Sequence, residues 1–493
     1  MSVVKSIGWL AAGRAVAMVT TFLTIAVLSR ILSPYEFGLM AAVLVVTSLS
    51  DALFEGAFGI SITQREVVSK EFISGMLVLA AIIGLLLILV VWISAASFQR
   101  LLGFDGIEYI LIISSASFLF KAIESVAFSL MRRNRQFRSI ALYQFIGQIA
   151  VYSPVSIGLA LAGYGVWSLA IGNVALTFAS CILALYMADI RRESTLDLSV
   201  LARSVGTATR DTLSSQNAYF ILSQALNWLA LNGPNTIIAR GLGPVDLGLY
   251  SRSWRILDLV SKLTASPIQN VLLSSFSRMQ RDVELARSSF IKTLDISLTF
   301  FSVISALLII QAPLLVTLLL GEKWISAVPT VQVLFGVLVA RNCVKVTESL
   351  AVAFGRSKSA AWRQGLYAGL MIAGSYVGVS YGVIGVALGA SIALACFYIS
   401  STFYAARLVR ASLGEVCLPH VRAVFLFLGV LILDWAIVTS ASKYGLVISH
   451  ILGGASGLFL FMLVINILPK RILGVSLVQI RETAYVKLDR LFK

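Results

Sequence analysis

Residues 29–40 read SRILSPYEFGLM and residues 239–250 read ARGLGPVDLGLY. At a constant offset of 210 they share Arg30/Arg240, Leu32/Leu242, Pro34/Pro244, Gly38/Gly248 and Leu39/Leu249, and Glu36/Asp246 keeps its charge. Two further matches keep the same order along the chain. YGVWSLAIGN (164–173) pairs with YGVIGVALGA (381–390), and KAIES (121–125) pairs with KVTES (345–349). One short match arises easily by chance. Three in consistent order mark an internal duplication.

The apolar pattern shows what is duplicated. Of 493 residues, 58% are hydrophobic and 13% charged, with mean hydropathy +0.92; a soluble domain carries about 25% charged residues. A membrane-spanning helix needs about 20 mostly apolar residues. Such stretches fall at 15–32, 38–60, 72–98, 107–131, 139–162, 164–188, 216–239, 247–274, 292–320, 329–354, 362–380, 382–405, 421–441 and 444–468. The reading is an all-α, polytopic membrane protein with about fourteen transmembrane helices. The repeats pair spans 1–2 with 7–8, span 4 with 10 and span 6 with 12. The shift is six helices, an even number, so both copies share one orientation. Two six-helix lobes in parallel pseudo-repeat are expected, related by an axis along the membrane normal. The lobes cover residues 1–200 and 201–410, and residues 411–493 add spans 13 and 14 and a basic tail.

The net charge of +16 has an address. One alternating set of loops, with both chain ends, holds 28 Lys and Arg; the opposite set holds five: Arg30, Arg100, Arg240, Lys323 and Lys443. The positive-inside rule places both termini in the cytoplasm, and no nucleic-acid partner is needed to explain the charge. Cys181, Cys343, Cys396 and Cys417 show no metal spacing, and His420 and His450 are too few and too far apart for a metal site. The chain has no GxxxxGK[ST] phosphate loop. External connections are short, and no loop carries a nucleophile–base set. The protein reads as a non-enzyme without a cofactor. Energy for any transport would come from an ion gradient (H+ or Na+), the membrane potential or the substrate gradient.

Charges within spans are costly and face a cavity or one another. The first lobe carries Asp51 and Glu55 on span 2, and Lys121 and Glu124 on span 4. The second carries Arg252, Arg255, Asp258 and Lys262 on span 8, and Arg341, Lys345 and Glu348 on span 10. Spacings of three and four put each set on one helix face, which implies a shared aqueous cavity. Its first-lobe wall is net negative and its second-lobe wall net positive. A cationic wall suits an anionic substrate, because Arg grips phosphate oxygens with paired donors. The same spacings equally allow Lys121–Glu124, Arg255–Asp258 and Lys345–Glu348 to be structural ion pairs; Arg252 and Arg341 lack so obvious a partner on their own helix. Arg30 and Arg240, at helix C-termini, read as anchors. Gly233-Pro234 within span 7 reads as a broken helix or a packed kink.

The signature at 239–250, its copy at 29–40, the QRE at 64–66 and the YGVWSLAIGN stretch together resemble the polysaccharide-transport (Wzx-type) flippases. These form part of the multidrug/oligosaccharidyl-lipid/polysaccharide exporter superfamily. The similarity runs over about residues 1–410 and is closest to the branch exporting colanic acid and succinoglycan. The resemblance implies that the protein moves an undecaprenyl-diphosphate-linked oligosaccharide repeat unit across the inner membrane for exopolysaccharide export, by alternating access. It also implies a polysaccharide polymerase and chain-length regulator as partners. On this reading Arg252, Arg255, Arg341, Lys345 and Lys121 hold the anionic substrate. Asp51, Glu55, Glu124, Asp258 and Glu348 serve ion coupling or sugar contact. Two alternatives stand beside it. One is a cation-coupled multidrug antiporter of the same superfamily, which would prefer an acidic cavity. The other is a non-transporting subunit of a polysaccharide-synthesis complex, which needs no intramembrane charge.

Overall fold

Each expected span is helical over its described residues. The computed structural model describes residues 20–63, 65, 68–190, 204–209, 215–355 and 357–467. Lys5, Arg14, the basic residues of 191–203 and 210, Arg356 and the tail after residue 467 lie outside the described residues. The first seven helices are α1 (Thr20–Ile31), α2 (Pro34–Thr63), α3 (Lys70–Leu102), α4 (Ile107–Arg133), α5 (Phe137–Leu161), α6 (Val166–Met187) and α7 (Ser215–Gly241). The next four are α8 (Pro244–Arg278), α9 (Val283–Leu319), α10 in two pieces (Val328–Gly336 and Leu338–Ala353), and α11 (Ser357–Gly378). The last three are α12 (Gly382–Leu408), α13 (Leu413–Ser440) and α14 (Leu446–Ile467). Among the described residues, eight helical stretches are long and apolar enough to cross a bilayer, with α11 and α12 counted together. Outward-facing Ile93, Leu161, Tyr186, Tyr376 and Phe425 are exposed, as lipid contact requires.

Helix ends follow ordinary capping chemistry. Ser69 accepts from Phe72 N–H at 3.2 Å to open α3, and Gly103, with φ +71°, closes it by donating to the Gln99 carbonyl at 2.8 Å. Ser412 and Glu415 form a reciprocal capping box at the start of α13.

The Gly-Pro of span 7 does not break its helix: α7 runs continuously through Pro234. The carbonyl deprived of its donor by the proline is that of Ala230, one turn earlier; nearby, Asn232 Nδ2 donates to the Trp228 carbonyl at 3.0 Å. The interruptions lie elsewhere. In α5 a π turn spans Gly147–Tyr152, just before Pro154, and Ser153 brings both its N–H and its hydroxyl to the Gln148 carbonyl. In α10 the chain tightens at Gly336–Val337, where the Phe335 carbonyl accepts from Ser305 of α9 at 2.5 Å.

Packing divides the chain into two units: Met1–Ser251 with Leu319–Lys323, and Arg252–Leu318 with Trp324–Lys493. In the first, Phe54, Phe58 and Ile62 of α2 meet Phe72, Met76 and Leu79 of α3 around Ala122 and Val126 of α4. Here too the duplicated motifs meet. A Cβ on Gly38 would lie 1.7 Å from the Pro244 carbonyl oxygen, and one on Gly248 would lie 1.9 Å from that of Pro34. The paired glycines therefore serve close backbone approach between the starts of α2 and α8. Trp228 of α7 also donates to Ser48 of α2 at 3.0 Å. The sequence repeat turns over near residue 200, whereas packing keeps α7 and the first turns of α8 with the first unit. In the second unit, Val303 and Ala306 of α9 pack with Val430 of α13.

Candidate functional site

The first polar set lies in the first unit. Lys121 of α4 donates to Asp51 Oδ2 of α2 at 2.8 Å. Both line a cavity of about 260 Å³ with Glu124, Arg132, Tyr143 and Gln144. Glu55 lies on α2, and its side chain is outside the described residues. Arg132, Tyr143 and Gln144 were not among the sequence candidates. A signal for Arg132 was available, since Lys121, Ser125, Ser129 and Arg132 recur at the helical period and carry the stripe to the end of α4.

The second set lies in the second unit, between α8 and α10. Arg341 Nη2 donates to Asp258 Oδ1 at 2.9 Å, and Lys262 Nζ reaches Asp258 Oδ2 at 2.8 Å. The Arg341 guanidinium lies over the Trp254 ring, 5.0 Å from its centroid, and Arg341 Nε is buried with no hydrogen-bond partner. Lys345 Nζ donates to Ser261 Oγ at 3.0 Å, and Ser261 donates in turn to Asn342 Oδ1 at 2.6 Å. Arg255 is exposed one turn before Asp258, and Arg252 is half-buried at the start of the same stripe. Two cations, Arg341 and Lys262, thus share the single carboxylate of Asp258, and Lys345 rests on a hydroxyl instead.

Glu348 does not join them. Its carboxylate accepts from Nε and Nη2 of Arg363 on α11 at 2.9–3.2 Å and from Ser401 of α12 at 2.8 Å. Arg363 is buried, donates to Ser359 at 2.8 Å and stacks on Tyr404 at 4.1 Å. Glu348 is therefore spent on holding α10, α11 and α12 together. The pairs suggested by spacing along one helix give way to pairs across helices: Lys121 with Asp51, Arg341 with Asp258, Glu348 with Arg363. Arg341 does have an acidic partner, on the neighbouring helix. Neighbours at i, i+3 project side by side, and a facing helix offers the better-aligned group.

The repeat relates the two sets. Residue 51 plus the offset of 210 is residue 261, and KAIES aligns Lys121 with Lys345. The same lysine reaches the same position of the neighbouring helix in both copies. It finds Asp51 in the first and Ser261 in the second.

This helical architecture with intramembrane polar sets defines a polytopic membrane protein of the flippase and multidrug-exporter fold. It resembles the structure of the lipid II flippase MurJ in an inward closed conformation, with TM-score 0.69 and 15% identity, over 92% of this chain and 98% of that one. It also resembles an inward-facing multidrug resistance MATE family transporter, with TM-score 0.65 and 16% identity, over 80% of this chain and 94% of that one. The chain belongs to the polysaccharide biosynthesis protein family, whose model matches residues 27–329, and the family resemblance drawn from the motifs holds. The succinoglycan biosynthesis transport protein ExoT of Rhizobium meliloti (strain 1021) is 26% identical over 338 residues, 68% of this chain and 65% of that protein. An uncharacterized membrane protein in the cps region of Klebsiella pneumoniae is 25% identical over 86% of each chain. The lipopolysaccharide biosynthesis protein WzxC of Escherichia coli (strain K12) is 25% identical over 67% of this chain and 65% of its own length. The matches to ExoT and WzxC thus span just under two thirds of those proteins.

Proposed function

We propose that this protein flips an undecaprenyl-diphosphate-linked oligosaccharide repeat unit from the cytoplasmic to the periplasmic leaflet of the inner membrane, by alternating access. The observation that carries the reading is the excess of cations between α8 and α10. Arg341 and Lys262 share one carboxylate while Lys345 is held only by the Ser261 hydroxyl, and an uncompensated cation at membrane depth is costly until an anion arrives. A diphosphate supplies that anion, and its oxygens suit the unpartnered Nε of Arg341 and the ammonium of Lys345. The saccharide would ride along polar helix faces while the polyprenyl tail stays in lipid. Family membership and the transport role named for the Rhizobium relative support the same substrate class. A multidrug antiporter for cationic drugs fits the cation excess poorly. An H+ or Na+ gradient drives the cycle, both termini face the cytoplasm, and a polysaccharide polymerase and chain-length regulator take up the delivered unit.

The test is the leaflet that holds the lipid-linked unit in a deletion strain, read by its accessibility to an external lectin in spheroplasts. The unit stays on the inner face without the protein and reaches the outer face with wild type. A unit that reaches the outer face without the protein removes flipping from its role.

A further inference from the structure

Outside both polar sets, spans 9, 13 and 14 enclose another ionisable group. Asp434 stands in the apolar stretch FLGVLILDWAIV (427–438) of α13 and is 0% exposed. Its two oxygens share one donor, Gln311 Nε2 of α9, at 3.1 and 3.2 Å. Among the described residues it makes no ion pair. On the other side α14 brings its backbone against the carboxyl: a Cβ on Gly453 would lie 2.2 Å from Asp434 Oδ1. Gly454 faces Gln311, and Gly457 faces Leu307 of α9, where a Cβ would lie 2.4 Å from Cδ2. His450, Gly453, Gly454 and Gly457 recur at i, i+3, i+4 and i+7, so one face of α14 meets this cluster.

His450 is the second observation. It is 5% exposed, and neither ring nitrogen has a hydrogen-bond partner. It sits one helical turn before Gly453, toward the loop 441–445. Asp434 lies six residues, about 9 Å, from the same end of α13. The asymmetry of basic residues assigns that end to the outside. The groups facing Asp434 from the packed helices are therefore neutral Gln311 on α9 and the glycine face of α14, with His450 as the one titratable neighbour along that face.

A buried carboxylate with one shared neutral donor keeps a full charge in a dry site, whereas the protonated acid carries none and becomes a donor itself. Intramembrane Asp and His in sequence are the groups from which proton relays are built. We propose that Asp434 is a proton-binding site, loaded from the external face past His450, and that this site couples proton movement to transport. Because α13 and α14 lie outside the duplication, the site exists once rather than in each repeat. Only its coupling role rests on the transport reading above.

The full-length protein in proteoliposomes is treated with the membrane-permeant reagent dicyclohexylcarbodiimide, which modifies protonated carboxyls, and the adduct is located by mass spectrometry. We expect an adduct at Asp434 that falls at least about five-fold between about pH 5 and about pH 8, and is absent from Asp434→Asn. No adduct at the lower pH, or an equal adduct at both, overturns the site. In cells, Asp434→Asn, which keeps the shape of the neutral acid, should export polymer without the wild-type sensitivity to an uncoupler. Full sensitivity in a well-folded Asn variant overturns the coupling role, and the labelling of wild type decides the site even if that variant fails to fold. Labelling as expected, beside a lipid-linked unit that crosses without the protein, would keep the site and remove the transport reading.

Discussion

Lys121 and Lys345 stand at one position of a duplicated motif, and each reaches the equivalent position of the neighbouring helix. The first meets a carboxylate, Asp51, at 2.8 Å; the second meets a hydroxyl, Ser261, at 3.0 Å. Duplication has kept the geometry and changed the charge. In the first copy the cation is neutralised in place. In the second it is held in the same position and left in excess, beside Arg341, whose guanidinium has a donor to spare. An ion pair that satisfies itself stabilises or orients; a positioned, uncompensated cation waits for an anion. The difference is why we propose the anion site in the second copy.

The comparison can be broken at several points. The largest effect is expected for Arg341→Ala, which removes charge-assisted hydrogen bonds worth about 1.5–3 kcal/mol each and leaves Asp258 with Lys262 alone. Export should fall about a hundred-fold with normal membrane insertion, read by secreted polymer against protein abundance. Normal export would take Arg341 out of the site. Glu348→Gln should act on stability, because it strands buried Arg363. A loss of about 3 kcal/mol is expected as a lower melting temperature, and Arg363→Met in the same chain should restore part of it. Ser261→Asp gives the second copy the first copy's acid, neutralises Lys345 and should weaken binding of a polyprenyl diphosphate about ten-fold. The mirror change, Asp51→Ser, has the smallest expected effect. Its ion pair is half open to solvent, and export should stay within about two-fold of wild type. An effect of Asp51→Ser equal to that of Ser261→Asp would erase the distinction between the copies.

Much of this was legible in the residues. Hydropathy placed fourteen spans, each helical over its described residues, and the duplicated motifs pair helices of one copy with those of the other. Helical spacing put Asp51 and Lys121, and Asp258, Arg341 and Lys345, on faces that meet. Periodicity names a face, however, and not the partner opposite it. The pairing of Glu348 with Arg363 depends on how α11 crosses α10, and nothing local records that. Gly233-Pro234 invited a break, yet α7 runs on through it, while the real interruptions fall before Pro154 and at Gly336–Val337. The glycines of the duplicated motif give no sign in the sequence of their use, which is the contact between its two copies. Asp434 escaped because it stands alone in an apolar stretch, with no stripe to announce it. A solitary charge in a span is itself the signal.

The central claim is that cations left uncompensated between α8 and α10 bind the substrate's diphosphate. Its most direct test is native mass spectrometry of the purified protein with undecaprenyl diphosphate, comparing wild type, Ser261→Asp and Arg341→Ala. The account predicts a bound lipid on wild type, about ten-fold less on Ser261→Asp and none on Arg341→Ala. Equal occupancy of all three would contradict it.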